Sequence, residues 1–539
     1  MGNDTTLSVA VEAATPATPA GKTRITDIVG DNYKTWERGT RVIFDAGTNS
    51  GKTYFILNVL LPWALKKHRQ ILYLCNRSPL REQVRDDVFK LGMTETLVTY
   101  EDGFDEIVLE NRYEHTIRVE NYQWMEAFVT GNPAGAADYF RRFYYVVADE
   151  YHYQLNDPSI NKGIDVSYKL LNEWTETKAV IFMSATAHPF FDHWKKTGEI
   201  NEENYYYLPP DYSFVDKICF FWTDNEELAV IRQEAQRGKV LVFVDAVKHM
   251  RKLKDILETD FPNEVATACS AYRPEASEFD GLSAVLQNET LCKRITIVTT
   301  VFYNGINIKD PELKCIISRL WDATVNAQIL GRKRPLNAAD TCTVYFRGYS
   351  HAWIKQERER IRKCQLEPVK MWNMQYTGQQ EEWERYLHTA GIVELLDTKC
   401  KTLYRDKYGA GWVWHRRAVL QYETQMNTLK QMMDSGYQWA LLKEISEPLV
   451  QKMEPLKFKG LEDYINANLG KEMLSDVMRK DLVELGHIDN PANRHKNKNG
   501  VGLSTINRRL KECYNAKVVS IQKRVNQQDR TMYWTLERL

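Results

Sequence analysis

Between residues 21 and 350 the chain alternates short, continuously apolar runs with longer stretches whose apolar positions recur at helical spacing. The first set of runs is R-V-I-F (41–44), I-L-Y-L-C (71–75), T-L-V-T-Y (96–100), T-I-R-V-E (116–120), Y-Y-V-V-A (144–148) and A-V-I-F-M (179–183). Continuous apolarity marks strands buried on both faces, and intervening helices mark crossovers, so residues 21–215 are predicted to form a parallel sheet covered on both sides. The rhythm restarts at K-I-C-F-F-W (217–222) and continues through K-V-L-V-F-V, I-T-I-V-T, C-I-I-S and C-T-V-Y-F, which predicts a second α/β domain over 216–350. Residues 351–440 turn helical and aromatic-rich. A connector with two prolines then leads to helices over 459–486, a helix S-T-I-N-R-R-L-K-E-C-Y, a strand K-V-V-S-I-Q-K-R, a polar turn and a strand T-M-Y-W-T-L, all within a unit spanning 441–539. Residues 1–20, rich in Ala, Thr and Pro, read as a disordered tail.

Composition narrows the class without naming a function. The 539 residues are 43% hydrophobic and 27% charged, enough apolar material for several buried cores. Net charge is zero, so any nucleic-acid partner must be met by local basic patches. Nine cysteines without a C-x-x-C argue against a zinc module or a disulfide framework and fit a reducing cytoplasm, of a bacterium or a phage-infected host. The longest apolar run is broken at Asn58 and Pro62, so no membrane span is expected. Neither is a signal peptide. Gly2 to Thr6 fits the loose myristoylation pattern but has no polybasic neighbour.

The candidate chemistry starts at F-D-A-G-T-N-S-G-K-T-Y-F (44–55). A strand, a loop of small residues (Ala46, Gly47, Thr48, Asn49, Ser50, Gly51) and then a helix opening at Lys52 make a phosphate cradle. Successive backbone N–H groups turn inward and the helix adds its positive end. Lys52 would reach the β/γ-phosphates and the Thr53 hydroxyl would ligate Mg²⁺. Ala46 stands where the usual pattern has its first glycine. A second Gly-Lys-Thr, at residues 21–23, follows no strand and is set aside. Further on, Y-Y-V-V-A ends in Asp149-Glu150-Tyr151-His152. One carboxylate at a strand end suits Mg²⁺, and a neighbour suits a water-activating base. The strand A-V-I-F-M ends in Ser184-Ala185-Thr186, whose hydroxyls can bond to those side chains.

Taken in order and spacing, these segments resemble the helicase motifs of superfamily 2, DExH-box branch. A-G-T-N-S-G-K-T resembles motif I, L-C-N-R-S-P-L-R-E-Q Ia, R-V-E-N-Y-Q Ib, D-E-Y-H II and S-A-T III. K-V-L-V-F-V-D-A resembles motif IV, T-T-V-F-Y-N-G-I-N V and Q-I-L-G-R-K-R VI. The resemblance covers about residues 25–350 and implies two tandem RecA-like domains with ATP in the cleft between them and a nucleic-acid strand across their tops. It also implies roles. Lys52 and Thr53 would hold phosphate and Mg²⁺, Asp149 would hold Mg²⁺, and Glu150 would be the general base. His152, Ser184 and Thr186 would couple hydrolysis to movement, and Arg77 would meet nucleic acid. Gly305 and Asn307 would line the nucleotide site, Gln328 would sit near the attacking water, and Arg332 or Arg334 would be an arginine finger. Pro335 stands at the motif's final arginine, so both guanidiniums are candidates. No Q-motif glutamine precedes the loop. Tyr33 or Trp36 would stack on adenine, or else be core aromatics.

The tail adds charge. Residues 491–539 hold eleven Lys and Arg against three Asp and Glu, a net charge of about +8. Their helix–strand–turn–strand order resembles a winged helix, with Arg508, Arg509 and Lys511 on a recognition helix and Lys523, Arg524 and Arg530 on the wing. That implies phosphate and major-groove contacts, so DNA is expected ahead of RNA. The whole reads as an ATP-dependent DNA helicase or translocase of a phage or mobile element, acting in replication or recombination. Its rivals are an ATPase-switched nucleic-acid-binding regulator and the motor subunit of a restriction or defence nuclease, which would need partner proteins. The aromatics of 351–440 either stack on unpaired bases or pack against the motor.

Overall fold

The strand runs sort their side chains by alternation, and that alternation builds the core. In a computed structural model of the chain, residues 23–99, 105–159, 161–270, 274–299, 306–376, 379–390, 396, 399–405, 412–488, 501–524 and 530–539 are described. They divide into two compact units: the described residues up to 211 together with 306 and those of 352–434, and the described residues of 212–299, 307–351 and 435–539.

The first unit holds β1 (Arg41–Ala46), β2 (Gln70–Cys75), β3 (Met93–Thr99), β4 (Asp105–Asn111), β5 (Ile117–Asn121), β6 (Phe143–Ala148), β7 (Ala179–Ser184) and β8 (Tyr205–Leu208). Six form one parallel sheet in the order β5-β2-β6-β7-β1-β8. Val42, Phe44, Ile71, Tyr73, Tyr145, Val147, Ile181 and Met183 enter the apolar cluster on one face. Their sequence neighbours Ile43, Leu72, Leu74, Val146, Val180 and Phe182 enter the cluster on the other. A strand with both rows buried can only be central in a layered α/β unit.

Two differences from the sequence reading stand out. The run T-L-V-T-Y does not join the parallel sheet: β3 pairs antiparallel with β4 in a separate hairpin, Met93 opposite Asn111. The D-E-I-V-L-E run that follows gives β3 a local partner, and local pairing closes a shorter loop than insertion into the sheet. Conversely, the tyrosine-rich Y-Y-Y-L of β8, not expected as a strand, adds to the edge beside β1.

The second unit repeats the plan with β9 (Val215–Phe221), β10 (Lys239–Phe243), β11 (Val265–Ala268), the short hairpin β12 (Leu286–Gln287) and β13 (Thr290–Leu291), then β14 (Ile295–Val298), β15 (Leu313–Ser318) and β16 (Cys342–Arg347). Its parallel sheet runs β11-β14-β10-β15-β16-β9.

The segment after β16 contributes the helices His351–Ile361, Gln380–Ala390 and Arg416–Ser435, with a small pair β17 (Leu403–Arg405) and β18 (Trp412–Trp414). Trp372, Trp383 and Trp412 are buried together with Leu387 and Leu403. These tryptophans are core, not a stacking surface. Trp36 is buried too, against Phe44, Phe55 and Tyr206, while Tyr33 sits edge-on to Phe55 and Trp63.

Residues 459–539 supply helices Lys459–Asn468, Ser475–Leu485 and Leu503–Tyr514 with β19 (Glu472–Leu474), β20 (Ala516–Arg524) and β21 (Arg530–Arg538), in the sheet order β19-β21-β20. The order is helix, short strand, helix, helix, strand, strand. This segment is not a bead on a string. Phe458, Leu461, Ile506, Leu510 and Trp534 belong to the same continuous apolar cluster as Cys219, Phe221 and Tyr345 of the second parallel sheet, so the proline-containing connector does not mark a core-free boundary.

Candidate nucleotide site

In a parallel sheet the loops leaving the carboxyl ends of neighbouring strands share one edge, and ligands bind there. β1, β6 and β7 end in the small-residue loop, in Asp149-Glu150 and in Ser184, and β2 leads to Arg77. The sheet order alone therefore gathers most of the candidates of the first unit.

The loop has the backbone it needs. Asn49 and Gly51 both lie in the left-handed region, with φ of 60° and 85°, which Asn and Gly enter at least cost. Gly47 is required for another reason: a Cβ there would come 2.4 Å from the Cα of Pro210. Lys52 donates to the carbonyls of Ala46 at 2.6 Å and Gly47 at 2.9 Å, which holds its ammonium over the loop. The helix it opens runs to Lys66 through a π-turn at Ile56–Leu60, next to Pro62, which cannot donate to the preceding turn.

Asp149 is buried, and burial followed by the adjacent Glu150 charge pushes its carboxyl above the ordinary range. Tyr73 donates to it at 2.5 Å, and Tyr122 donates to the Asp149 carbonyl at 2.8 Å. Burial, then the Asp149 charge, holds the Tyr73 hydroxyl well above its usual value, so it stays a donor. That hydroxyl lies between Asp149 and Thr53. The Asp149 carboxylate and the Thr53 hydroxyl thus both lie near the Tyr73 hydroxyl beside the loop; they are hard oxygens of the kind that suit Mg²⁺, and a cation there would relieve the cost of a buried Asp149 charge.

Glu150 has φ of 50°, unusual for a residue other than Gly or Asn and a form of strain common at working sites. Its carboxylate lies 3.2 Å from His152 Nδ1, which is 3.3 Å from Ser184 Oγ; Ser184 in turn accepts from Thr186 N at 3.1 Å. The candidate base, the histidine and the S-A-T hydroxyl are therefore in one continuous contact. Arg77 pairs with Asp157 at 2.6 Å. Asp157 is buried, which raises its carboxyl, opposed by the Arg77 charge. No motif pointed to Asp157 or Tyr73, and Tyr122 lies within R-V-E-N-Y-Q without a role of its own there; the pairing of β2 with β5 and β6 brings Tyr73 and Tyr122 to Asp149.

In the second unit Arg332 donates to the Gln328 carbonyl and to Gln328 Oε1, both at 3.0 Å, and Arg334 donates to Asn307 Oδ1 at 2.9 Å. Lys333 lies at a parallel bridge with Ile308 and turns inward to pair with buried Asp340 at 2.7 Å. Alternation about that bridge places Arg332 and Arg334 on the face opposite Lys333. This gives a physical account of Arg-Lys-Arg-Pro in place of the usual spacing. Gly305 lies outside the described residues.

On the helix Leu503–Tyr514, Arg508 and Lys511 are exposed, whereas Arg509 is buried and pairs with Glu226 at 2.8 Å. The expectation of Arg509 as a phosphate contact meets a guanidinium committed inside its own unit. Burial at the 3.6-residue period separates it from Arg508, which its sequence position alone cannot. Lys523 is exposed and pairs with Glu472. The side chains of Arg524 and Arg530 lie outside what is described. Among the described residues no helix is long and apolar enough to cross a membrane, and no group of three or more His, Cys, Asp or Glu is placed to hold a metal.

Residues 28–192 match the family model of the DEAD/DEAH box helicases. That stretch is a DEAD/DEAH box helicase domain, and the class is one of ATP-hydrolysing enzymes. Among solved structures, the chain is similar to S. cerevisiae Dbp5 bound to RNA and ADP BeF3, at 13% identity over 67% of this chain and 90% of that one, TM-score 0.42. It is also similar to Mycobacterium smegmatis helicase Lhr bound to ssDNA and AMP-PNP, at 14% identity over 62% of this chain and 46% of that one, TM-score 0.41. A third likeness is to the Escherichia coli DEAH/RHA helicase HrpB, at 12% identity over 81% and 62%, TM-score 0.42. No curated protein matches the chain.

Proposed function

We propose that the protein is an ATP-driven DNA translocase or helicase, serving replication or recombination of a phage or mobile element. The observation that carries the reading is the unbroken contact from Glu150 through His152 to Ser184 at the strand edge that also bears the Lys52 loop. In this reading the loop N–H groups and Lys52 bind the β/γ-phosphates, and Thr53 with Asp149 would hold Mg²⁺. Bound there, the cation would neutralise charge on the phosphates. Glu150 accepts the proton of the attacking water, held in place by His152. On the second unit, Gln328 is the candidate for orienting a water and Arg332 and Arg334 are the candidates for positive charge toward phosphoryl oxygens, with Asn307 fixing Arg334. Ser184 and Thr186 register the change at Glu150 and pass it to the rest of the unit.

DNA is favoured by the winged-helix-like element with Arg508, Lys511 and Lys523 outward. The test is ATPase rate in the presence of no nucleic acid, single-stranded DNA, duplex DNA and RNA in turn, together with displacement of a labelled strand. Stimulation by DNA with strand displacement supports the reading. Stimulation without displacement or movement favours the switched regulator, and a rate indifferent to every nucleic acid refutes both.

A further inference from the structure

The helix Arg416–Ser435 is far in sequence from the D-E-Y-H strand, yet its first turns grip the segment that follows those acids. Gln421 is buried, and its amide works in both directions: Nε2 donates to the Asn156 carbonyl at 2.7 Å and Oε1 accepts from Ser159 N at 3.1 Å. This is the pairing a neighbouring strand would offer, supplied by one side chain. His415, also buried, has one ring nitrogen 3.1 Å from the Asn161 carbonyl and the other 3.0 Å from the Asp165 carboxylate. Asp165 in turn accepts from Arg417 N at 3.3 Å, capping the helix from another element, and the Arg417 guanidinium lies 3.5 Å over Tyr168. Leu420 packs on the apolar cluster beneath.

What is held matters. Asn156 and Ser159 bracket Asp157, the buried partner of Arg77, and a single helical turn, Tyr153–Asn156, separates them from His152. From the other side, Glu126 receives Asn161 Nδ2 at 2.6 Å and Ser167 Oγ at 2.6 Å. The segment is thus fixed between a buried carboxylate and the helix 416–435.

We propose that residues 415–421 are a positioning clasp that sets Arg77 and the Glu150–His152 pair in one register, so that a nucleic-acid strand meeting Arg77 raises hydrolysis at Glu150. This rests on the helicase reading of the site. Gln421 touches neither nucleotide nor nucleic acid; it acts through the backbone on either side of Asp157.

The test uses the full chain with Gln421→Ala, Gln421→Glu and, as a control on the exposed side of the same helix, Glu423→Ala. Two readouts are taken: the ratio of single-stranded-DNA-stimulated to basal ATPase rate, with KM for ATP, and hydrogen exchange of the amides of 150–161. The expected result for Gln421→Ala is a ratio lowered by at least about fivefold, the low end of ordinary coupling between sites, at unchanged KM. Exchange should rise over 150–161 while β1 and β7 stay protected. Gln421→Glu, which keeps the acceptor for Ser159 N, should fall between Gln421→Ala and the parent, and Glu423→Ala should match the parent. A ratio that holds while both rates fall together with thermal stability makes the contact merely structural and overturns the proposal. So does unchanged exchange over 150–161. If the parent itself is not stimulated, the functional reading fails and the coupling role with it, while the exchange result still decides whether the clasp holds the segment.

Discussion

Arg509→Ala separates a structural cation from a reading one. Arg509 Nη2 lies 2.8 Å from Glu226 Oε1, with the two side chains 9% and 4% exposed. The contact lacks hydrogen-bond alignment at Nη2, so it is a charge pairing more than a directed bond. Glu226 is the third residue of the helix Asp224–Ala235 and closes a capping box with Thr223; its other oxygen accepts from Trp222 N at 2.6 Å. Burial raises the Glu226 carboxyl, and Arg509 is the main charge opposing that rise. Truncating Arg509 leaves a buried carboxylate short of its counter-charge. Breaking a buried pair costs about 3–5 kcal/mol, and poor alignment together with the retained backbone bonds puts this case near about 3 kcal/mol. For a unit of this size that lowers Tm by about 6–12 °C. Arg508→Ala, on an exposed position of the same helix, should change stability by less than about 0.5 kcal/mol. It should instead weaken duplex binding and reduce the salt slope by about 1. The assay is thermal unfolding alongside duplex titration at several salt concentrations. Pairing Arg509→Met with Glu226→Gln should recover part of the loss. An Arg509→Ala protein with parental Tm that loses duplex affinity as Arg508→Ala does would make Arg509 a phosphate contact and not a structural cation.

Lys52→Ala should weaken nucleotide binding, measured directly by titration, because it removes the charge held over the loop. Glu150→Gln should bind ATP with near-parental affinity but lose turnover, since it keeps the shape and lacks the base; a normal hydrolysis rate would exclude Glu150 from that role. Arg332→Ala and Arg334→Ala should each lower kcat with little change in KM, the one that serves as the finger by on the order of 10³ or more, because a finger acts on charge that develops in the transition state. Cutting the chain near Lys457 should give a protein of reduced solubility and lower Tm in a melting scan, because the apolar cluster of the second sheet continues into Phe458, Leu461 and Leu510. Lys178 donates to the carbonyls of Phe140 and Phe143, and burial lowers it from 10.5 to about 8. Its folded value lies below its unfolded one, so the unfolded chain binds more protons in that window, and stability is lost as pH falls from about 10.5 to about 8. Lys178→Met should lack this slope in pH-dependent melting.

What the sequence determined by itself was whatever one strand and the turn after it can carry. The order of apolar runs with helices between them specified two parallel sheets, and a cradle, an acidic pair and a hydroxyl pair each sit within a few residues of a strand end, where backbone geometry places them without outside help. The C-terminal helix–strand order was legible for the same reason. Tertiary structure decided the rest. T-L-V-T-Y satisfies its backbone bonds in a hairpin with β4 and not in the sheet, since an apolar run specifies a strand but not its partner. Arg508 and Arg509, adjacent and alike in sequence, part company because a helix sends neighbours about 100° apart, one outward and one onto Glu226. Arg332 and Arg334 share a face through the bridge from Ile308 to Lys333, an isolated pairing of two loop segments that no motif spacing reports. The contact of Ser159 N with Gln421 spans 262 residues. Periodicity reads along the chain over one or two turns; side chains that meet through the fold leave no periodic trace, and only the packing of distant segments brings their donors and acceptors within bonding distance.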